Sequence, residues 1–458
     1  MSSAQALVRV GSPIDVYYQD SDNAKKQVIP TLTDQRYTQE YNNKGQGTSV
    51  FTIPPNNGIG HVVLVMGWNS ATVNAVGQNF GLNRGWGYEA IQQISFRIGG
   101  SSQYFLTGAQ LLARNLRLAR TQTQRDALLS LGGAALVGAT GGNTVYATTT
   151  NQLCYIPVSI WAQPGDDELN LPLPSDTLSQ QIQVTVQLNP AYVASATPGT
   201  LPNTAGFWHL ATGGAGATTA PPVQFDTAYF QLQQIQMKDR GMALANRVDL
   251  SKEMYSMALP GGFDQFEQTF QLSSASASSQ PQSVVLTGFR AGEVKSLQFW
   301  LQANVVSGQA ATYDNAANPN LWYSPQNLQV LYAGLVYTNY QNGSAPIWNL
   351  LNGTSPSAVN QNVLTSSGGV WTAAVGSGTN PSLSQWEMAP FAQPSGSDYE
   401  ADVLIHGLEI TNGIVNVSIT PPPLQGLSAG IANTWTLHCV YNYNCTLGFS
   451  RGTADLIF

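Results

Sequence analysis

The chain has 458 residues, of which 43% are hydrophobic and 9% are charged, and its formal net charge is −7. A prior of about 150 residues per domain gives two or three domains, and an average soluble domain is about 25% charged. The acidic balance argues against wrapping nucleic acid, which needs a dense Lys and Arg surface. So little charge indicates a surface mostly covered by neighbours, because like-charge repulsion is too weak to keep copies apart.

The first half predicts short β-strands punctuated by Gly, Pro, Asn and Ser. They cover residues 14–18, 49–53, 61–66, 91–98, 155–161 and 182–188. In the last of these every second residue is apolar, which is typical of a strand with one buried face in an antiparallel sandwich. The clearest helix is predicted over 108–131, where Leu residues recur among polar ones.

The second half predicts the same kind of chain. Its strands cover residues 266–272, 283–287, 297–303, 330–338, 403–410, 414–419 and 434–447, and a shorter helix is predicted over 240–257. Strands and helices do not alternate, which argues against a parallel sheet. The junction between two units is predicted near 245–262.

Long stretches rich in Gly, Ala, Ser, Thr and Asn separate some of these strands. They cover residues 132–151, 195–224, 304–326 and 341–385. Disordered linkers favour charge and Pro, and charged residues are scarce in these stretches. We therefore predict that these loops fold over each other as an ordered projection from one end of the strands.

Two short matches indicate an internal repeat. Trp161-Ala162-Gln163-Pro164 returns as Phe391-Ala392-Gln393-Pro394, and 91–98 aligns with 294–301. The offsets are 392 − 162 = 230 and 294 − 91 = 203, each about half of the chain. Chance explains either match alone, but the two in one order predict a unit used twice.

Short motifs in a fixed order carry a family resemblance. They are Gly11 with Asp15-Val16-Tyr17, Arg36-Tyr37-Thr38, Ile98-Gly99-Gly100, Ile156-Pro157-Val158-Ser159-Ile160-Trp161, Leu171-Pro172-Leu173, Gln393-Pro394-Ser395-Gly396, and Asn442-Tyr443-Asn444 with Gly452. In these motifs the chain resembles the double jelly-roll major capsid proteins of large and mid-sized double-stranded DNA viruses. It departs from them at Ser397-Asp398-Tyr399-Glu400, where the family often has Asn-x-Ser-Arg.

The resemblance implies an all-β chain of two tandem eight-stranded antiparallel jelly rolls, with long ordered loops and a few short helices. The first would occupy 1–250, with an N-terminal arm and the helix near 108–131, and the second 251–458. The implied function is a major capsid protein and not an enzyme: a homotrimer that forms a pseudo-hexameric capsomer of an icosahedral virion, assembled inside the infected host cell. Implied partners are neighbouring capsomers and minor capsid proteins, with an internal membrane left open and no sequence-specific nucleic acid.

No residue set predicts a catalytic, cofactor or metal site. His61, His209, His406 and His438 lack metal-ligand spacing, and each is interpreted as a strand or loop histidine. Asp166-Asp167-Glu168 is the one acidic triplet, and an acidic loop is preferred over acid–base chemistry or Ca²⁺ binding.

The cysteines are interpreted as reduced thiols. Cys439 and Cys445 share a predicted strand, and six strand residues span about 20 Å, too far for a disulfide without a bend. Cys154 is the third cysteine. No apolar stretch reaches the roughly 18–20 residues that cross a bilayer.

Two sets of residues are candidate surface sites. Arg114, Arg117, Arg120 and Arg125 lie in the predicted helix 108–131, and a solvated face competes with a contact to an acidic partner or an internal membrane. Asn342 and Asn352 lie in a predicted loop and match the glycan acceptor pattern, whereas Asn416 and Asn444 match it within predicted strands.

Two other functions are compatible with the pattern. A carbohydrate-binding or carbohydrate-active β-sandwich would use the same fold and line a concave sheet face with exposed aromatic residues. A minor or vertex capsid protein would differ from a major one in copy number, which sequence does not record.

Overall fold

The structure is a computed structural model of the whole chain. It describes residues 8–9, 26–35, 48–53, 58–72, 79–82, 85–100, 104–118, 122–133, 136–137, 145–162, 173, 175, 178–189, 208–211, 227–237, 254–259, 263–273, 281–305, 322–323, 327–341, 364–367, 370–373, 386–390, 407–410, 413–421 and 431–457. Within these ranges the chain is mostly β-strand, and the strands pair in an antiparallel manner.

The elements are numbered in chain order. The first-half strands are β1 (Val8–Arg9), β2 (Lys26–Gln35), β3 (Thr48–Ile53), β4 (Gly58–Thr72), β5 (Asn79–Leu82), β6 (Ile91–Arg97), β7 (Tyr104–Leu106), β8 (Leu136–Val137), β9 (Val145–Pro157), β10 (Ile182–Leu188), β11 (Trp208–Ala211) and β12 (Thr227–Met237). The helices of the described residues are α1 (Trp86–Ala90), α2 (Gly108–Leu118) and α3 (Gln122–Leu131).

The second half follows the same numbering. Its strands are β13 (Met254–Ala258), β14 (Phe263–Ser273), β15 (Gln282–Leu286), β16 (Glu293–Val305), β17 (Trp322–Tyr323), β18 (Asn327–Tyr332), β19 (Leu335–Tyr340), β20 (Leu364–Ser367), β21 (Val370–Ala373), β22 (Trp386–Pro390), β23 (Leu408–Glu409), β24 (Val415–Thr420), β25 (Ile431–Tyr443), β26 (Thr446–Ser450) and β27 (Thr453–Ile457).

Eight first-half strands form a jelly roll. One sheet has the order β2-β12-β4-β9 and the other β3-β10-β6-β7. Lettered B to I along the chain, these strands give the sheets B-I-D-G and C-H-E-F, which is jelly-roll connectivity. This unit is the first jelly roll.

Eight second-half strands repeat that connectivity. One sheet has the order β14-β25-β16 with β22 paired to β16, and the other has the order β15-β24-β18-β19. In the same lettering these sheets are again B-I-D-G and C-H-E-F. The predicted double jelly roll is therefore confirmed, and this unit is the second jelly roll.

Alternating apolar residues build each core. In β10 the side chains of Ile182, Val184, Val186 and Leu188 are buried and those between them are more accessible. The core of the second jelly roll draws on both of its sheets, for example Leu286 from β15 and Phe299 from β16. Each sheet turns one apolar face inward, which is the pattern that the sequence predicts for 182–188.

Three loops of the first jelly roll pair with one another. Strand β5 follows β4, β8 follows α3 and β11 follows β10, and together they form a sheet of order β11-β5-β8. The described parts of loops 132–151 and 195–224 therefore pair with a common strand, as predicted for an ordered projection. Most of loops 304–326 and 341–385 lies outside the described residues.

Four local predictions are wrong. The helix over 108–131 is two helices, and the break lets α2 pack on β6 and α3 on β9. The helix over 240–257 ends in strand β13, whose pairing with β26 overrides local propensity. The strand over 330–338 is a hairpin, β18–β19, and that over 434–447 breaks between β25 and β26. The strand predicted over 14–18 lies outside the described residues.

Only one of the two repeat matches joins equivalent positions. The motif that contains Trp161 follows β9 and its match follows β22, and both strands are G strands. The alignment of 91–98 with 294–301 is wrong, since β6 is an E strand and β16 is a D strand. Equivalent strands begin about 235 residues apart, as in 327 − 91 = 236 for the E strands and 282 − 48 = 234 for the C strands.

The boundary between 1–250 and 251–458 stays a prediction. It falls between the last strand of the first jelly roll, β12, and the first strand of the second, β14. Residues 238–253 lie outside the described residues.

Candidate functional site

The C-terminal hairpin β26–β27 joins the second jelly roll to the first, and we call these contacts the seam. Arg451 and Gly452 connect its strands and have φ angles of 49° and 83°. Positive φ at both central residues is the type I′ geometry that matches strand twist in tight hairpins. The hairpin presents the Gly452 carbonyl to the first jelly roll, where it accepts hydrogen bonds from Ser179 N at 2.7 Å and Ser179 Oγ at 2.9 Å.

Tyr104, the first residue of β7, fills the centre of the seam. Its hydroxyl donates to Asp455 Oδ1 and accepts from Leu456 N at 2.9 Å. Its ring meets the edge of Phe263, with centroids 6.0 Å apart and an interplanar angle of 76°. The side chain is 9% exposed. Tyr104 thus contacts both β27 and the start of β14, so two segments of the second jelly roll meet on one residue of the first.

The alternation of β27 makes these contacts available. Ala454 and Leu456 are buried, while Thr453, Asp455 and Ile457 lie on the accessible face. Gly99 lies against this strand, because a Cβ built there would stand 3.1 Å from Ala454 N. The sheet β1-β13-β26-β27 also pairs Val8 and Arg9 with β13, so the segment between the jelly rolls and an N-terminal strand share one sheet with the hairpin.

Arg114 lies inside the protein and not on an exposed basic face. Its side chain is 1% exposed, and Nη2 donates to the Ile160 carbonyl at 2.6 Å. The prediction of a solvated or membrane-facing Arg114 is therefore wrong, because α2 places this side chain against the backbone of Ile160. The guanidinium also acts on Cys445: burial raises the pKa of that thiol strongly, and the charge of Arg114 offsets part of the rise. The side chains of Arg117 and Arg125, and Arg120 as a whole, lie outside the described residues.

A carboxylate fixes the turn that follows β25. Glu293 Oε2 accepts from Gly407 N and from Asn444 Nδ2, each at 3.1 Å, and Asn444 N donates to the Glu293 carbonyl at 2.9 Å. The amide nitrogen of Asn444, the atom that a glycan would modify, is thus engaged within the fold. Asn416 lies exposed in β24, while Asn342 and Asn352 lie outside the described residues.

The three cysteines are free thiols, and all are buried. Burial raises the pKa of Cys154 far above its usual range, which keeps it protonated and unreactive. Cys445 follows the end of β25, in the connection to β26. The prediction that Cys445 shares a strand with Cys439 is therefore wrong.

The described residues contain no group of three or more His, Cys, Asp or Glu side chains placed to hold a metal ion. His61 and His438 lie half-buried in β4 and β25, and the backbone of His209 lies in β11. His406 and the triplet Asp166-Asp167-Glu168 lie outside the described residues. The exposed aromatic side chains of the described part, Phe105 and Tyr337, lie on different jelly rolls and do not line one sugar groove.

No helix among the described residues is long and apolar enough to span a bilayer.

The turn between β18 and β19 has the same backbone conformation as the turn of the β26–β27 hairpin, but it is exposed. Ala333 and Gly334 have φ angles of 50° and 78°, again the type I′ pattern. Around them, Leu335 is 62%, Val336 52% and Ile414 56% exposed. We call Leu335, Val336, Tyr337 and Ile414 the turn patch. Sequence reasoning missed both turns, because a single Gly between two strands, as at Gly452 and Gly334, is a weak turn signal.

Solved structures of viral capsid proteins share this fold. The PBCV-1 virus capsid matches with 12% identity and a TM-score of 0.54, over 94% of this chain and 95% of that chain. The mavirus major capsid protein matches with 11% identity and a TM-score of 0.50, over 98% and 92%. The Sputnik virophage structure matches with 11% identity and a TM-score of 0.50, over 98% and 90%. No protein-family model and no curated protein sequence matches the chain.

Proposed function

We propose that this chain is a major capsid protein, and that three copies form a pseudo-hexameric capsomer in the icosahedral shell of a double-stranded DNA virus. One observation carries the proposal: two jelly rolls of the same connectivity occupy the chain in tandem, in a fold shared nearly end to end with the mavirus major capsid protein. Six jelly rolls in three subunits give a near-hexagonal tile from a three-fold molecule.

The surface composition supports assembly. Charged residues are 9% of the chain, so copies at high concentration repel one another weakly. Several edge strands of the sandwiches are short, such as β7 and β15, which limits uncontrolled strand pairing of an abundant protein.

The proposed partners follow from this role. They are two further copies in the trimer, neighbouring capsomers and minor capsid proteins, and the protein needs no cofactor and performs no catalysis.

Three basic residues remain candidates for a contact on the inner face of the shell, namely Arg117, Arg120 and Arg125. Reversing their charge should leave trimers intact and impair shells, and normal shells would remove them from the interface.

Light scattering and microscopy test the central claim. The purified chain should elute as a trimer of about 147 kDa (3 × 48.9 kDa), without a folded monomer in dilute buffer, as for obligate oligomers. Negative-stain images should show three-fold tiles with a hexagonal outline. A stable monomer that unfolds cooperatively would contradict the proposal.

Copy number separates a major from a minor shell protein. We expect this chain to be the most abundant protein by mass in purified virions, and a count restricted to the vertices would assign it the minor role.

Intact-mass measurement tests the glycan hypothesis at Asn342 and Asn352, since a mass equal to that of the bare chain excludes attached sugar.

A further inference from the structure

The seam joins the first jelly roll to two separate segments of the second. Along the hairpin, the Gly452 carbonyl accepts from Ser179 N, and Leu456 N donates to the Tyr104 hydroxyl. At the start of β14, the ring of Phe263 packs edge-on against the ring of Tyr104. A rotation of one jelly roll about the hairpin would separate Tyr104 from Phe263. The contacts therefore oppose pivoting of the two jelly rolls as well as their separation.

The hairpin also holds the segment that links the two jelly rolls. Strand β13 lies between β12 and β14 in the sequence, and it pairs with β26 along its whole length. Leu259 N continues this ladder by donating to the Cys445 carbonyl at 3.2 Å. The other edge of β26 pairs with β27, which contacts the first jelly roll. One hairpin therefore fixes both the covalent link and the noncovalent contact between the jelly rolls.

Opposite charges lie on the two sides of the seam near Cys445. Burial raises the pKa of the Cys445 thiol, the charge of Arg114 lowers it, and the charge of Asp455 raises it. Arg114 belongs to α2 of the first jelly roll, and Asp455 belongs to β27. Both charges therefore act at one point, and their attraction adds to the hydrogen bonds across the seam.

Ring closure depends on the angle within each subunit. A ring of three identical copies closes only when each copy turns the path by about 120°, and other angles give rings of another size or open chains. In a chain of two jelly rolls, this turn depends on the angle between them. Freedom to pivot would therefore admit assemblies other than the trimer.

We propose that the seam sets the angle between the two jelly rolls and thereby restricts assembly to closed rings of three copies. This inference rests on the proposed trimer. The control lies within one subunit, because both sides of the seam belong to one chain. Loosening the seam should therefore change the size distribution of the assemblies while both sandwiches stay folded.

Two adjacent glycines supply a matched test. Gly99 and Gly100 have φ angles of 59° and 82°, so a side chain at either position adds similar backbone strain. A Cβ at Gly99 would stand 2.8 Å from Leu178 Cδ2 and 3.1 Å from Ala454 N of β27. The atoms nearest to a Cβ at Gly100 are the amide end of Gln180, which is exposed and can move aside. Gly99→Leu therefore wedges the seam, and Gly100→Leu is its control.

Mass photometry of the purified variants gives the size distribution. We expect Gly99→Leu to lose at least half of its closed trimers to open or differently sized assemblies, and Gly100→Leu to keep the distribution of the unmodified chain. Circular dichroism and protection of the buried Cys154 and Cys439 thiols report whether both sandwiches are folded. Gly99→Ala is the milder variant if Gly99→Leu does not fold, and it should lose fewer trimers. A folded Gly99→Leu protein with normal trimers would overturn the inference.

A second pair of variants separates control of the angle from stability. A chain that ends at Gly452 lacks β27, while Leu437→Ala deletes a buried side chain from the core of the second jelly roll. Both changes destabilise the protein, but only the first removes seam contacts. We expect the shortened chain to lose trimers as Gly99→Leu does, and Leu437→Ala to keep them. Equal losses would assign the effect to stability and contradict the proposal.

The two proposals fail in distinguishable ways. If the unmodified chain is a monomer, both the capsomer function and the control by the seam are wrong. If it is a trimer and Gly99→Leu forms the same trimer, the capsomer function stands and the seam does not control assembly.

Discussion

The turns Arg451–Gly452 and Ala333–Gly334 have the same backbone conformation and opposite surroundings. The first is packed against Ser179 in the seam, and the second is open. The residues beside the two turns differ in the same way, since Tyr104 is covered and Leu335 is exposed. Two units with one topology therefore differ in exposure at residues of their F strands, because Phe263 and β27 cover Tyr104.

The side chains at the two positions also differ in chemistry. Tyr104 has a polar atom at its tip, which meets a carboxylate and a backbone amide of its own chain. The Leu335 side chain has no polar atom, so it can contribute only apolar contacts. Tyr buries ring area while its hydroxyl needs a partner, and Leu carries no such requirement.

Removing strand β27 should have the largest effect. A chain shortened after Gly452 loses buried Ala454 and Leu456 and uncovers Tyr104. Loss of one buried Leu side chain alone costs roughly 2–5 kcal/mol. We expect the free energy of unfolding to fall by about 4 kcal/mol or more, measured by urea denaturation at fixed protein concentration. Ile457→Thr, at an exposed position of the same strand, should change it by less than about 0.5 kcal/mol.

The two turn glycines form a matched pair. Alanine at either position costs about 1 kcal/mol for the positive φ. At Gly452 its Cβ would also stand 3.1 Å from Ser179 Cβ, whereas at Gly334 it meets nothing. We expect Gly452→Ala to cost about 2 kcal/mol locally, which is a roughly 30-fold faster hydrogen exchange at Ser179. Gly334→Ala should leave that exchange unchanged, and equal effects would contradict the distinction between the ends.

The hydroxyl of Tyr104 should contribute less. Tyr104→Phe keeps the ring packed on Phe263 but removes the donor to Asp455, and Leu456 N keeps a second acceptor in Asp455 Oδ1 at 3.0 Å. We expect a loss of about 1 kcal/mol in urea denaturation, since one partly accessible hydrogen bond is removed. Asp455→Asn retains an acceptor and should cost less. A larger loss for Asp455→Asn would assign the stabilisation to charge instead.

Thiol reactivity should show the smallest change and report opening of the seam. Burial raises the pKa of both Cys154 and Cys445, so neither should react in the native protein at pH 8. Cys445 lies beside the seam, while Cys154 and Cys439 lie in the two sandwiches. In urea below the unfolding midpoint, mass spectrometry should find Cys445 labelled first. Simultaneous labelling of all three would mean that the seam and the sandwiches open together.

Local patterns predict the sandwich strands well. Strand β10 occupies residues 182–188 as predicted, because strict alternation reports a single buried face. The hairpin at Ala333–Gly334 was missed because this dipeptide is a weaker turn signal than Asn-Gly or Asp-Gly. Strands β6 and β16 were aligned wrongly since both are largely buried and so similar in composition.

The candidate site was beyond the reach of local patterns. The bond between Ser179 and Gly452 spans 273 residues, and no periodicity within either segment records it. Arg114 shows the same limit, because helical spacing identifies a face without saying whether solvent or protein lies against it. The family resemblance predicted two jelly rolls in tandem. The contacts of the seam are known only from the structure.

The seam can form only late in translation, because its two sides are far apart in the sequence. Tyr104 and Leu456 are 352 residues apart. A ribosome that adds about 5–20 residues per second needs roughly 20–70 s to travel between them. For that interval Tyr104 lacks the β27 contacts that bury it in the finished chain.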